Sequence, residues 1–165
     1  MGVDAQAFKD ALRRWVSGVT VVTIGGKSDH GMTASSFSSL SLDPPLILVC
    51  VKKGNATHGR LLEEDGFAVN ILGTDHKDLS NRFAGYPPME DRFADLSVER
   101  APVSKAPLLP GALAGLDCTR HAVYDGGDHS IFVGKVEGIV LHGDGTDLAP
   151  LMYYSGNYTT VGDRI

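Results

Sequence analysis

Six hydroxyl side chains, Thr33, Ser35, Ser36, Ser38, Ser39 and Ser41, fall within nine residues. They run into an apolar stretch, Leu46-Ile47-Leu48-Val49-Cys50-Val51. Small polar residues before a hydrophobic wall suit a flat ring with a polar edge. Backbone N–H and C=O groups bond the edge, and the apolar strand backs the face. On one strand, Thr33, Ser35 and Phe37 share a face and Ala34 and Ser36 take the other. The same spacing also describes the polar rim of a barrel.

A second candidate is Lys52-Lys53-Gly54-Asn55-Ala56-Thr57-His58. If Asn55 caps a helix, the free N–H groups of Ala56, Thr57 and His58 converge on one spot. Helix N-termini attract anions, and Thr57 adds a hydroxyl while Lys52 and Lys53 add charge. An ordinary capped helix with solvated lysines reads the same way. Arg82, alone, reads as a surface charge favoured by a helix dipole. In Gly127-Asp128-His129, Asp128 can fix the tautomer of His129, although turn histidines are commonly solvent-exposed and idle. Tyr153, Tyr154 and Tyr158 suit either a ligand wall or packing onto the body or a partner subunit. No Ser-His-Asp or Cys-His arrangement and no metal-ligand cluster can be argued. The economical site is therefore a cradle whose hard chemistry is carried by a cofactor.

The elements that hold these residues follow from periodicity. Asp4 caps a first helix whose apolar face is Phe8, Leu12, Trp15 and Val16, ending near Gly18. Residues 19–24 read as a strand, 25–29 as a turn, and 30–37 as the second arm of a hairpin. Strands follow at 46–51, 67–72, 116–124, with Leu116, Cys118, Ala122 and Tyr124 on one face, and 130–141. A last one falls at 151–154. Helices are expected from 56 to about 64, with Leu61 and Leu62 inward, and from an Asp75 cap through Arg82 and Phe83 to Gly85. Residues 86–95 read as an irregular excursion. Six or seven strands with two or three helices and no sustained βαβ alternation favour an antiparallel barrel with helical insertions. Neither G-x-G-x-x-G after a strand nor a G-x-x-x-x-G-K-[ST] loop occurs.

Bulk properties exclude several classes. The 165 residues fit one domain, 1–165. A net charge of −5 argues against nucleic acid and anionic membranes as partners. Cys50 and Cys118 read as buried free thiols. The start, Met1-Gly2-Val3-Asp4, lacks the basic and apolar regions of a secretion signal, and the apolar run at 46–51 is too short to span a bilayer. A reducing, cytoplasmic location is expected.

Taken in order, "RRWVSGVTVVT" at 13–23, "GMTASSFSSLSLDPPLILVCV" at 31–51, "NATHGRLLEEDGFAVNIL" at 55–72, "LSNRFAG" at 79–85, "GDHSIFVGKV" at 127–136 and "PLMYYSGNY" at 150–158 resemble the short-chain flavin reductase family. Its members are reductase components of two-component flavin-dependent monooxygenases. The resemblance covers 8–158 and leaves 159–165 as a short tail. It implies a mainly β fold with helical insertions, an antiparallel Greek-key split β-barrel of the FMN-binding kind. It implies that Thr33, Ala34, Ser35 and Ser36 meet the isoalloxazine edge and that Cys50, Val51 and Lys52 line the flavin. Asn55, Ala56 and Thr57 would lie near its phosphate, with Arg82 and Phe83 close by. His129 would meet the nicotinamide nucleotide, and Tyr154 to Tyr158 would close the site. Many relatives carry R-G-x-Y where this chain has Ser155-Gly156-Asn157-Tyr158, so dinucleotide preference does not transfer from the tail. The implied activity is NAD(P)H:flavin oxidoreductase. NADH or NADPH would reduce FMN or FAD, a homodimer would carry the sites, and diffusible reduced flavin would feed a partner monooxygenase. A flavin-holding redox sensor or electron store, or a split-barrel oxidase or corrinoid reductase, are the alternative readings.

Overall fold

The computed structural model describes residues 2–143 and 149–162. Helix α1 (Ala5–Leu12) precedes β1 (Ser17–Gly18), β2 (Thr20–Ile24), β3 (His30–Ala34), β4 (Phe37–Leu42) and β5 (Pro45–Lys52). Helix α2 (Ala56–Glu63) leads to β6 (Gly66–Ile71), and a 3-10 turn at Thr74–His76 leads to α3 (Lys77–Ala84). Short β7 (Glu99–Arg100) and β8 (Pro107–Leu108) are followed by the long hairpin β9 (Ala114–Gly126) and β10 (His129–Leu141). The small hairpin β11 (Met152–Tyr154) and β12 (Asn157–Thr159) comes last.

Seven strands form one antiparallel sheet in the order β3-β2-β6-β9-β10-β5-β4. Its two edge strands, β3 and β4, are joined by Ser35 and Ser36 alone. Flat, the sheet would hold those edges about 29 Å apart, six strand spacings of about 4.8 Å. Three Cα steps from Ala34 to Phe37 reach at most about 11 Å, so the sheet must curl until its edges meet. The closure is partial. Strand β4 pairs with β5 as far as Phe37 opposite Val49. Beyond that point residues 50–52 of β5 pair only with β10, and β3 pairs only with β2. The result is the mainly β, antiparallel split barrel, zipped on one side of Ser36 and forked on the other.

The barrel interior is filled by Phe67, Phe132, Val49, Val51, Val69 and Leu61, all nearly or wholly shielded from solvent. Each such side chain contributes about 1.5–3 kcal/mol. A second cluster, with Val21, Leu72, Phe83 and Leu109, seats α3 on the outside of the barrel. Burial and the neighbouring Asp117 and Glu137 push the Cys118 thiol up to about 12, so it stays protonated and inert.

Several expectations need correcting. Asp4 does cap α1, accepting from the Ala7 N–H at 2.8 Å. The helix stops at Leu12, because Ser17 and Gly18 pair with Tyr153 and Met152. The apolar face read from Phe8, Leu12, Trp15 and Val16 lies open, with Phe8 56% and Trp15 76% exposed. Leu61 is buried but Leu62 is 46% exposed, since helical neighbours lie about 100° apart. Asp75 sits inside the 3-10 turn, and His76 takes the cap position of α3. In β9 the register shifts so that Val133 faces Ala122 and Gly134 faces Arg120. This bulge at His121 flips the inward face from Cys118 to Val123 and leaves Tyr124 exposed. Residues 30–37 are not one strand, and β12 is a strand that the sequence reading lacked.

Candidate functional site

The fork holds a cleft of about 520 Å3, within the usual range for a small-molecule site. One wall is Met32 to Ser36, from β3 and the crossing. The other is Cys50, Lys52 and Asn55, with Gly126 and His129 from the β9–β10 hairpin tip above. Eight of the sequence-predicted residues therefore meet in one place: Thr33, Ala34, Ser35, Ser36, Cys50, Lys52, Asn55 and His129. Met32 and Gly126 were missed. They carry no chemistry-bearing group, and only the fold brings them here.

The hydroxyls mostly hold the frame. Thr33 Oγ1 donates to the Ser80 carbonyl of α3 at 2.6 Å. Ser36 Oγ donates to the Cys50 carbonyl at 2.8 Å and accepts from the Cys50 N–H at 3.2 Å. Thr57 is buried, and its hydroxyl lies 2.8 Å from His30 Nε2. Besides the Ser35 hydroxyl and the side chains of Lys52, Asn55 and His129, backbone groups are left at the cleft. Among the described residues, the N–H and C=O groups of Ser35 and Ser36 make no hydrogen bond to the protein. Strand alternation turns the Lys52 N–H to the same side as that of Cys50, while the Lys52 carbonyl accepts from Asn55 N–H.

The hairpin tip is pinned over the cleft. Lys53 Nζ bonds Asp125 and the Gly127 carbonyl, and the Lys53 N–H donates to the Asp128 carbonyl at 3.0 Å. Lys53 is thereby committed, and Lys52 is the cation that lines the site. His129 Nδ1 lies 2.7 Å from Asp128 Oδ1. That bond, more than the charge of the imidazole, holds the Asp128 carboxyl below the usual carboxylate range. With Nδ1 turned to Asp128, Nε2 is the ring nitrogen left for a ligand.

Not every candidate reaches the cleft. Val51 and Phe83 are wholly buried, Val51 in the barrel and Phe83 edge-on to Phe93 under α3. Arg82 donates to the Ala94 carbonyl at 2.5 Å, tying down the excursion after α3, and its Nε is buried without a partner among the described residues. Asn55 holds the cap position of α2 but makes no side-chain cap bond, and Ala56 lies just behind it. Tyr154 is 46% exposed and lines none of the three cavities around Ser35. Tyr158 lines a neighbouring cavity of about 510 Å3 between α3 and β12, which shares Thr33 and Ser35 with the cleft. A third cavity, about 600 Å3 beside Leu12 and Trp15, also reaches Ser35 and Ser36. His30 was missed as well. Burial first, then Arg92 and Arg60, lower its pKa.

The sequence model of one family, described as a flavin reductase like domain, matches residues 12–162. The chain belongs to that family. It is 46% identical to the NADH-dependent FAD reductase of Streptomyces globisporus over 122 residues, 73% of this chain and 67% of that protein. It is 43% identical to the reductase component of the flavin-dependent trigonelline monooxygenase of Acinetobacter baylyi over 156 residues, 93% of this chain and 48% of that protein. The chain thus spans about half to two thirds of these curated relatives. The NADH:FAD oxidoreductase of Streptomyces globisporus C-1027, solved with NAD and FAD fragments, superposes with a TM-score of 0.88 at 34% identity. That match covers 98% of this chain and 97% of the other. The cleft of this flavin reductase domain suits a flavin on its own chemistry. Unpaired backbone donors and acceptors face a narrow space backed by Ala34 and Cys50.

Proposed function

We propose that this chain is an NAD(P)H:flavin oxidoreductase that takes FMN or FAD into the fork and releases it reduced to a partner flavin-dependent monooxygenase by diffusion. When bound, the flavin supplies the hydride acceptor. The chain's own residues orient and shield. Backbone groups of Ser35, Ser36 and Lys52 bond the polar edge of the ring, and Ala34 and Cys50 support it. The start of α2, through its free N–H groups with Asn55 and Lys52, takes the phosphate. The buried Thr57 hydroxyl, turned to His30, backs that corner from behind. His129, held by Asp128, presents an Nε2 acceptor to the carboxamide of the nicotinamide. The reading is carried by one observation: unpaired backbone, a cation and a clamped histidine face one cleft.

One domain over 1–165 and a homodimer belong to the same reading. Phe8, Leu12, Trp15 and Val16 form an exposed apolar stripe beside a cavity that runs on to Ser35 and Ser36, so a second copy would cover it at the edge of the site. A cytoplasmic location is supported by two unpaired cysteines. No helix among the described residues is long and apolar enough to cross a membrane.

The test is steady-state NADH and NADPH oxidation with and without added FMN or FAD. A rate that saturates with free flavin is expected, and replacing exposed Ser35 by Trp, where the three cavities meet, should abolish it in a folded protein. A flavin that co-purifies and turns over no faster when free flavin is added would favour a redox store instead.

A further inference from the structure

The crossing from β3 to β4 departs from ordinary strand pairing at one residue. Phe37 pairs with Val49, so the next rung would join the backbones of Ser36 and Cys50. The rung is made, but by the Ser36 side chain. Its hydroxyl donates to the Cys50 carbonyl at 2.8 Å and accepts from the Cys50 N–H at 3.2 Å.

We infer that Ser36 is a positioning residue of the flavin cleft, a clasp at the apex of the fork that ends the ladder by standing in for its own backbone. This rests on the flavin reading above. Two consequences follow from hydroxyl chemistry. The one hydrogen of the hydroxyl is committed to Cys50, as is one of its two lone pairs, so the Ser36 side chain has no hydrogen to donate to a ligand and serves the frame first. The peptide groups of Ser35 and Ser36 are relieved of pairing and stay turned to the cleft. Had the backbone of Ser36 made the rung, the ladder would run on toward Lys52 and close the space that the ring needs. Alanine removes the clasp. Threonine keeps the hydroxyl on the same carbon.

The first measurement needs only the native chain. In amide hydrogen exchange without flavin, the Cys50 amide is expected to be protected while those of Ser35 and Ser36 exchange freely. Riboflavin should then protect Ser35 and Ser36. If the Ser36 amide is protected before any flavin is added, its backbone makes the rung and the inference is wrong. That pattern decides the clasp even if the chain binds no flavin, an outcome that would defeat the functional reading instead.

The second measurement is flavin affinity by fluorescence quenching, with thermal stability alongside. Ser36→Ala should weaken riboflavin and FMN by the same factor, about tenfold or more, the loss of roughly one good hydrogen-bonded contact. KM for flavin should rise while kcat at saturating flavin is nearly unchanged, and Ser36→Thr should restore most of the affinity. Native affinity in folded Ser36→Ala, a loss for FMN alone, or a Ser36→Thr as weak as Ser36→Ala would each overturn it. If Ser36→Ala does not fold, the exchange pattern and Ser36→Thr still decide.

Discussion

Tyr158 ties the C-terminal hairpin to α3, and the strength of that tie can be worked out. Its hydroxyl donates to Asn81 Oδ1 at 3.0 Å, so the contact with Ser80 Oγ at 2.9 Å must be a bond from Ser80 to Tyr158. Ser80 is fully buried. Tyr158→Phe therefore removes one ordinary hydrogen bond, about 0.5–1.5 kcal/mol, and leaves a buried donor unsatisfied, about 1–3 kcal/mol. A total of about 1.5–4.5 kcal/mol is expected. Ser80→Ala leaves only a half-buried phenol that water can reach, so it should cost about 1 kcal/mol. The double variant has no orphaned donor and should cost less than the two single losses added. Urea unfolding of flavin-free protein measures all three, with unchanged m-values required for the comparison. A coupling of about 1 kcal/mol or more is expected. Additivity within about 0.5 kcal/mol would mean that the two hydroxyls do not bond, and the strap reasoning would fail.

His129→Ala should keep flavin affinity but lower kcat/KM for NAD(P)H by about tenfold or more; stopped-flow reduction that follows native concentration dependence would make His129 an idle turn residue. Because burial, Arg92 and Arg60 depress the pKa of His30, the unfolded chain binds its proton first as pH falls through about 6.5. Stability attributable to His30 is thus present above that pH and declines below it. One proton caps the slope at about 1.4 kcal/mol per pH unit, and solvent around the half-buried ring keeps it below that. Comparing native protein with His30→Gln between about pH 6.5 and 5 isolates this term, since Asp125, Asp128 and Glu137, whose partners lower their pKa values, act only below the ordinary carboxylate range. Equal slopes in the two proteins would remove His30 as the cause.

Much of the barrel was legible because its strands are β-branched runs bounded by turns, as at Thr20–Ile24 and Pro45–Lys52. The cleft was legible for a similar reason: a hydroxyl-rich stretch before an apolar one is a local pattern. What stayed hidden was set by distant partners. Nothing local says that the chain changes neighbour at Ser35, because both halves read as strand. The helix period of Trp15 and Val16 continues past Leu12, yet pairing of Ser17 with Tyr153 ends the helix. Phe83 sits beside Arg82 in a plausible ligand motif, and only packing against Phe93 turns it inward. Hydroxyls were read as ligand donors, but Thr33, Ser36 and Thr57 answer to Ser80, Cys50 and His30, contacts 47, 14 and 27 residues away.

The fork also bears on how the molecule avoids sticking to itself. An unpaired strand edge is a template for a neighbour's strand and a common start of aggregation. Here curling sets the crossing between the two outer strands beside the end of β5, so the unpaired peptide groups of Ser35, Ser36 and Lys52 share one short gap, while the outer edge of β4 stays unpaired. A flavin in that gap would occupy the groups that another chain would need there. Cofactor loading would then shield that gap from β-addition as well as enable turnover.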